Sequence, residues 1–207
     1  MRIITISRQF GSGGRELGKR LAERLGWDYY DREIIDRLAG EQGLEPDYVK
    51  KTLANHGWHN MQLSYRNSFS SVLYDPGMST GLLIREREIL REIAALGSDC
   101  VIIGRDADVI LEEHHPFRVF ACADIEARLR RCMKHERKRP EAEQLSERQV
   151  LRNIRRIDRN RIHTREILTG KAHGDSSIFD LTVNTTSWDL KRLTGALGDF
   201  AQCWFEG

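Results

Sequence analysis

The sequence lacks any apolar run long enough to cross a membrane, and it has little net charge. A membrane helix needs about 20 consecutive apolar residues, and no stretch of the 207-residue chain approaches this length. The formal net charge is only +2, so overall charge does not favour nucleic acid or an anionic membrane as a partner. The opening residues "MRIITISRQF" also lack the apolar segment of a signal peptide. We therefore expect a cytoplasmic protein with no membrane partner.

Cysteine is scarce, and its spacing excludes two common kinds of site. The four cysteines contain no CxxC pair, and neither they nor the seven histidines show the spacing of metal ligands. This pattern argues against a disulfide framework and fits a reducing compartment. It predicts no metal held by protein side chains.

Apolar runs and helical patterns alternate along the chain. Predicted strands cover residues 2–7, 27–31, 99–104, 117–123 and 180–185. Predicted helices cover about 13–25, 32–43, 81–97, 124–167 with a break near residue 140, and 190–204. Such alternation predicts one α/β domain over residues 1–207, with a parallel sheet flanked by helices. Ligands of such folds bind at the carboxyl ends of the strands.

A glycine-rich segment, "FGSGGRE", lies between the first predicted strand and the first predicted helix. Glycines adopt backbone angles that turn several N–H groups inward, and the following helix adds the positive end of its dipole. The phosphate-loop pattern G-x-x-x-x-G-K-[ST] needs a lysine, but Gly14 and Arg15 follow Gly13 here. We expect a phosphate to bind the backbone of Gly11, Ser12, Gly13, Gly14 and Arg15.

Two arginines flank this loop and are candidates to replace the missing lysine charge. Arg8 precedes the glycines and Arg15 follows them, and a guanidinium binds phosphate in a bidentate manner. The alternative is a strand-to-helix turn with two surface arginines, and the residues alone leave both interpretations open.

Polar residues also follow the second and third predicted strands. Asp31 ends "WDYYD", and Arg105 and Asp106 follow "VIIG". Each fits either an exposed turn with a local ion pair or a ligand site for a phosphate, a sugar hydroxyl or a base. These alternatives stay open at this stage.

Residues 124–161 are strongly basic, with 13 Lys/Arg against 7 Asp/Glu. A solvated helical hairpin is the default interpretation of such a charge run. A nucleic-acid surface is less favoured, because no aromatic residue within the stretch offers a platform for stacking bases. The third interpretation is an arginine-rich lid, which would neutralise a migrating phosphoryl group and exclude water.

Together these segments resemble the cytidylate kinase-like family of P-loop nucleoside monophosphate kinases. The matching stretches are "ITISRQFGSGGRELGKRLAERLGWDYYDREII", "VIIGRDAD", "IDRNRIHTREILTGKAHGD" and "FDLTVNTT". The resemblance implies a three-layer P-loop kinase fold, a helical acceptor insertion over about residues 32–96 and a lid over about residues 134–161. True cytidylate kinases carry the loop lysine where Gly14 stands, and a lid arginine where Ile154 stands.

The resemblance also implies roles for individual residues. Arg37, Arg105 and Asp106 fall where the family holds the acceptor, and Asp158 and Arg161 fall among lid residues. The residues expected to bind the acceptor are therefore Asp31, Arg37, Arg105, Asp106 and Asp158. We expect Arg155, Arg159 and Arg161 to close over the transferring group together with Arg15.

These observations predict an ATP-dependent phosphotransferase. The expected acceptor is a small molecule, a nucleotide or nucleoside monophosphate, and the expected cofactors are ATP and Mg²⁺ carried by the nucleotide. The missing lysine supports an alternative, a kinase-derived module that binds a nucleotide or another phosphate ligand without transfer. The sequence does not indicate the oligomeric state.

Overall fold

The computed structural model describes residues 1–31, 34–35, 80–170 and 172–207. The predicted helix over 32–43 and most of the predicted acceptor insertion, including Arg37, lie outside these residues. Within the described residues, no helix has the length and apolar character needed to span a membrane.

Five parallel strands form one sheet, as the alternating sequence pattern predicts. The strands are β1 (Ile3–Arg8), β2 (Asp28–Tyr30), β3 (Cys100–Ile103), β4 (Phe117–Cys122) and β5 (Leu181–Asn184). Their order in the sheet is β2-β3-β1-β4-β5. In the central strand, Ile4 lies opposite Val101 of β3 and Phe117 of β4. The carboxyl ends of β1, β3 and β4 therefore meet at one edge of the sheet.

Six α-helices accompany the sheet in the described part of the chain. They are α1 (Gly14–Leu25), α2 (Thr80–Ala95), α3 (Ala107–Ile110), α4 (Ile125–Glu136), α5 (Glu147–Thr169) and α6 (Leu190–Glu206). The main core contains the isoleucines of β1, the apolar residues of β3 and residues of α1, α2 and α6. Burial of this apolar surface is the main driving force of the fold.

The helix boundaries follow local sequence signals. Gly26 ends α1 in a left-handed conformation with φ +68°. The predicted break in the basic region separates α4 from α5, and Ser146 starts α5 with a capping box shared with Gln149. The predicted polar loop "RDAD" is partly helical, because α3 already begins at Ala107.

A second, smaller core lies between α4, α5 and the glycine loop. Phe10 from the loop packs with Cys132 of α4 and with Val150, Ile154 and Ile157 of α5. These apolar side chains attach the predicted lid helices to the loop.

Candidate active site

The glycine loop has the backbone geometry of an anion cradle. Gly11 and Gly13 have φ values of +76° and +85°, in the left-handed region that favours glycine. The N-cap residue, Gly13, has no side chain that could accept a hydrogen bond from the first turn of α1. The first amides of a helix have no intrahelical acceptor, so the loop and the start of α1 present donors to an anion.

The structure gives a steric reason why the loop has no lysine at position 14. A Cβ atom added to Gly14 would lie 2.9 Å from Cβ of Arg8 and 3.2 Å from Cβ of Ala121. Both distances are shorter than ordinary carbon–carbon contacts. Arg8 and the end of β4 thus occupy the space that a larger residue would need.

Helix α4 and the end of β5 hold the loop carbonyl of Ser12. Arg131 donates from Nη1 to Ser12 O at 3.2 Å and from Nη2 to Thr185 O at 2.5 Å. The Thr185 hydroxyl donates to the same Ser12 oxygen at 2.5 Å. These bonds fix the direction of the carbonyl, so the neighbouring amides keep their orientation.

Helix α5 contacts the loop through charged side chains of the predicted lid. Asp158 accepts the N–H of Phe10 through Oδ1 at 2.7 Å and forms an ion pair with the buried Arg128. Arg128 in turn donates to Phe10 O at 2.7 Å. Arg161 donates to Arg8 O at 2.8 Å. The lid helix is therefore bonded directly to the loop.

Arg15, the second residue of α1, binds the carboxylate at the end of β2. Its Nε donates to Oδ2 of Asp31 at 2.6 Å, and Asp31 is only 1% exposed. Asp31 also accepts from the Tyr29 hydroxyl and from the amide of Ile34, both at 3.2 Å. Burial, together with the Asp31 charge, raises the pKa of Tyr29, so its hydroxyl remains a donor.

A cavity of about 120 Å³ lies beside the loop, between β1, β3, α2 and α5. The guanidinium of Arg8 extends to the end of β3, where a Cβ atom at Gly104 would collide with its Nη1. The charged groups that line the cavity are Arg8, Glu86, Arg87, Arg105, Asp106 and Arg161. The four arginines outnumber the two acids, so the cavity favours an anionic ligand.

Three consecutive residues in left-handed conformation form the floor of this cavity. Gly104, Arg105 and Asp106 have φ values of +73°, +63° and +49°, which is costly for residues with side chains. Arg105 is held by the buried Glu86 at 2.8 Å. Burial raises the pKa of the Asp106 carboxyl, against the opposing charge of Arg165.

Arg165 of α5 is fully buried and joins the lid helix to this floor. Its Nη atoms bind both oxygens of Asp108, at 2.8 and 2.6 Å, and Oδ1 of Asp106 at 3.2 Å. The guanidinium also lies 5.6 Å from the ring centre of Phe179. The geometry couples α5 to the turn that carries Arg105 and Asp106.

His173 lies at the same cavity in its neutral form. Its Nε2 is 3.4 Å from Arg8 O, and a carbonyl only accepts, so this nitrogen carries the hydrogen. The ring meets Phe120 edge-on at 5.3 Å. Burial, with the nearby Arg161 charge, lowers the pKa of His173 to about 4. The imidazole adds no positive charge to the site near neutral pH.

The structure brings most of the residues predicted from sequence to one region but separates some of them. Arg8, the loop, Asp158 and Arg161 are in contact, and Arg105 and Asp106 line the adjoining cavity. Arg155 and Arg159 are exposed on α5, away from its buried stripe at Val150, Ile154 and Ile157. Arg15 reaches Asp31, and Arg37 lies outside the described residues.

Sequence reasoning did not assign a role to seven further residues at this site. They are Glu86, Asp108, Arg128, Arg131, Arg165, His173 and Thr185. Arg128 and Arg131 lie on the same face of α4 as the buried Cys132, at helical spacing. The apolar Cys132 was the sequence signal that could have indicated that both arginines face inward. The others contact residues far away in sequence, so no local pattern reveals their partners.

Solved structures with a similar fold include two kinases. An uncharacterized protein from Eubacterium ventriosum ATCC 27560 matches with TM-score 0.71 and 22% identity, over 98% of this chain and 99% of that chain. Shikimate kinase from Bacteroides thetaiotaomicron matches with TM-score 0.54 and 16% identity, over 97% and 98%. Shikimate kinase from Acinetobacter baumannii in complex with shikimate gives 0.52 and 15%, over 98% and 93%.

These likenesses confirm the predicted P-loop kinase fold, with its five-stranded parallel sheet flanked by helices. A search of curated proteins gave no match. The model of the cytidylate kinase-like family matches residues 3–187, which is most of the chain. Family and fold together indicate a kinase-type phosphotransferase. The chain belongs to the cytidylate kinase-like family.

Proposed function

We propose that this protein transfers a phosphoryl group from ATP to a small acceptor, a nucleotide or nucleoside monophosphate. The observation that carries the proposal is an arginine-rich cavity at the end of β1, where the glycine loop begins. Arg8 belongs to both, since its backbone starts the loop and its side chain lines the cavity. Phosphoryl transfer needs two anionic groups held side by side, with charge neutralised between them.

The loop would hold the donor phosphates through backbone N–H groups. Gly11, Ser12 and Gly13 supply amides of the loop, and Gly14 and Arg15 supply amides of the first turn of α1. The amides of Ser12 and Gly14 make only long bonds of 3.4 Å within the loop, to Gln9 O and Ser12 Oγ. Arg131 and Thr185 keep this backbone in place through Ser12 O. Such preorganised dipoles do not have to reorient when a phosphate binds.

The cavity would hold the acceptor on the opposite side of Arg8. Arg8 and Arg161 would supply positive charge close to the transfer site, and Arg105 and Asp106 would line the far wall. Glu86 neutralises Arg105 in this arrangement. We therefore assign Arg8 to the acceptor side. Arg37 remains an assignment from the family resemblance alone.

Family membership implies magnesium, but the described side chains near the loop do not form a site for it. The described residues contain no cluster of three or more His, Cys, Asp or Glu side chains arranged for a metal. Asp31 binds the Arg15 guanidinium, and Glu16 in the first turn of α1 pairs with Arg20. The proposed roles of these side chains therefore include no metal ligand.

One observation favours the alternative of a binding module without transfer. Asp158, which the resemblance assigns to the acceptor, is bonded to the Phe10 amide and to Arg128. A residue held in this way is less available to a substrate.

A turnover assay separates the two functions. ADP formation from ATP would be measured across a panel of nucleoside monophosphates, nucleosides and shikimate, the ligand of one structural relative. Transfer predicts ADP release that depends on at least one nucleoside monophosphate. Nucleotide binding by calorimetry without ADP release on any acceptor would support the module. Arg20→Ala serves as control, because Arg20 is exposed and, among the described residues, pairs with Glu16 on the same helix.

A further inference from the structure

The residue directly after the lysine place of the phosphate loop is an arginine. In the pattern G-x-x-x-x-G-K-[ST], the final hydroxyl contacts a magnesium ion. With Gly13 as the last glycine and Gly14 in the lysine place, Arg15 and Glu16 follow, and neither residue carries that hydroxyl. A guanidinium has no acceptor atom and cannot bind a cation. The loop has therefore lost both side chains that this pattern uses around the metal and phosphates.

Asp31 holds this arginine in a fixed position. Nε of Arg15 lies 2.6 Å from Oδ2 of Asp31, which is almost completely buried. The Tyr29 hydroxyl and the Ile34 amide bind the two oxygens of the same carboxylate. Charge-assisted bonds of this length are the strong ones, so the carboxylate fixes the guanidinium at the end of β2.

A magnesium ion bound by the protein does not fit this arrangement. Mg²⁺ demands oxygen ligands in a near-octahedral shell, and the hydroxyl that would supply one is absent from positions 15 and 16. The carboxylates of Asp31 and of Glu16, in the first turn of α1, are each paired with an arginine that would repel a second cation. The positive charge at this end of α1 thus comes from a side chain.

We propose that the guanidinium of Arg15, fixed by Asp31, takes the place of the metal, so that the loop binds nucleotide phosphates without a divalent cation. The inference rests on the proposed function in one respect, that the loop binds a nucleotide. Arg15 lies in the first turn of α1, beside the amides that receive the anion, and its side chain is 29% exposed. An anion at the loop would also relieve the unfavourable position of a cation at a helix N-terminus.

The first experiment is calorimetric titration of the full chain with ADP, once with excess EDTA and once with excess magnesium. The expected dissociation constants agree within about threefold, since the guanidinium provides the charge in both buffers. A dissociation constant at least about tenfold weaker in EDTA would overturn the proposal.

A pair of variants adds a test that does not depend on the wild-type comparison alone. Arg15→Ser introduces the hydroxyl of the pattern and removes the charge. Its affinity for ADP in EDTA should fall by about tenfold or more, because a charge-assisted contact is lost, and magnesium should restore part of it. Arg20→Ala loses the same charge from an exposed position of the same helix and should bind like wild type. Wild-type affinity of Arg15→Ser in EDTA would refute the role of Arg15.

Circular dichroism and thermal melting establish that the variants fold. Arg15→Lys provides a second test if Arg15→Ser does not, because it keeps the charge and loses the fork that binds Asp31 and phosphate. In EDTA, the affinity of Arg15→Lys for ADP should be weaker than that of Arg20→Ala but stronger than that of a loop without the charge of Arg15. Affinity equal to that of Arg20→Ala would contradict the need for a fixed guanidinium.

The outcomes separate this inference from the proposed function. Metal-independent ADP binding without turnover on any acceptor supports the inference and refutes phosphoryl transfer. Turnover with ADP binding only in magnesium supports transfer and refutes the inference. Absence of ADP binding in both buffers refutes both.

Discussion

Replacing Arg165 by methionine should destabilise the protein more than any surface change. Arg165 is fully buried, and its guanidinium binds Asp108 through two bonds and Asp106 through one. Methionine keeps much of the length of the side chain but leaves both carboxylates without their cation. The variant therefore isolates the charge from the packing.

The size of the effect follows from the burial of the partners. Side-chain exposure is 2% for Asp108 and 15% for Asp106. Removing one partner of a buried ion pair costs about 3–5 kcal/mol, because an uncompensated charge stays in the interior. Total stabilities of domains are about 5–15 kcal/mol. The variant should therefore lose a large fraction of its free energy of unfolding at neutral pH.

The loss should shrink in acid. Burial already raises the pKa of Asp106, while the Arg165 charge opposes this rise, so the substitution raises the pKa further. The folded variant then binds more protons than the unfolded chain just above the ordinary pKa of an aspartate. Its stability relative to wild type therefore increases as pH falls through this window.

Urea unfolding followed by circular dichroism at pH 5 and pH 7.5 measures both effects. The control is the triple variant Arg165→Met, Asp106→Asn, Asp108→Asn, in which all three charges of this cluster are removed. It should regain at least about 2 kcal/mol relative to the single variant at pH 7.5. A single variant within about 1 kcal/mol of wild type, or with no pH dependence of the difference, would refute the reasoning.

Two further predictions concern the loop and the cavity. Gly13→Ala and Gly170→Ala should each lower the free energy of unfolding in urea by about 1–2 kcal/mol, because both glycines have positive φ, +85° and +66°. A Cβ atom at Gly13 would lie 2.9 Å from Leu190 Cδ1, whereas one at Gly170 meets open space. Only Gly13→Ala should also weaken nucleotide binding measured by calorimetry, and equal binding by both variants would contradict the role of the loop as an anion cradle. His173 takes up a proton near pH 6.5 in the unfolded chain but only near pH 4 in the folded protein. As pH falls across this window, the free energy of unfolding of wild type should therefore decrease by up to about 3 kcal/mol relative to that of His173→Gln. Parallel pH profiles of the two stabilities would exclude a buried neutral imidazole.

The sheet could be predicted from sequence because its signals are local. Each strand is a short apolar run bounded by turn residues, and "RIITIS" and "CVII" need no knowledge of their neighbours. The glycine loop could be predicted for the same reason, since a strand, three glycines and an amphipathic helix are adjacent in the chain.

The charged contacts of the site were beyond sequence reasoning for a physical reason. Arg165 meets Asp108 across 57 positions, and Phe10 meets Asp158 across 148. The spacing of the buried residues of α5 places Arg165 on the inward face, but it does not indicate which carboxylates Arg165 binds. Only the packing of α5 on the turn after β3 brings Asp106 and Asp108 to it, and that packing depends on the whole fold.

The arginines of the predicted lid are an exception, because the apolar stripe of α5 indicates which of them face the loop and which face solvent. Val150, Ile154 and Ile157 form an apolar stripe at helical spacing on α5, and all three are buried. Arg161 continues this stripe, four residues after Ile157, and binds the loop through Arg8 O. Arg155 and Arg159 lie on a different face and are exposed.

The three arginines therefore provide a matched test within one helix. Arg161→Ala should lower the turnover number about 100-fold or more if its guanidinium neutralises the transferring group. Arg155→Ala and Arg159→Ala remove the same charge from exposed positions and should stay within about threefold of wild type. Steady-state ADP formation with a saturating acceptor measures all three. An equal loss in Arg155→Ala and Arg161→Ala would mean that α5 turns another face to the loop during transfer, which the buried Phe10 cluster and the Asp158 contact oppose.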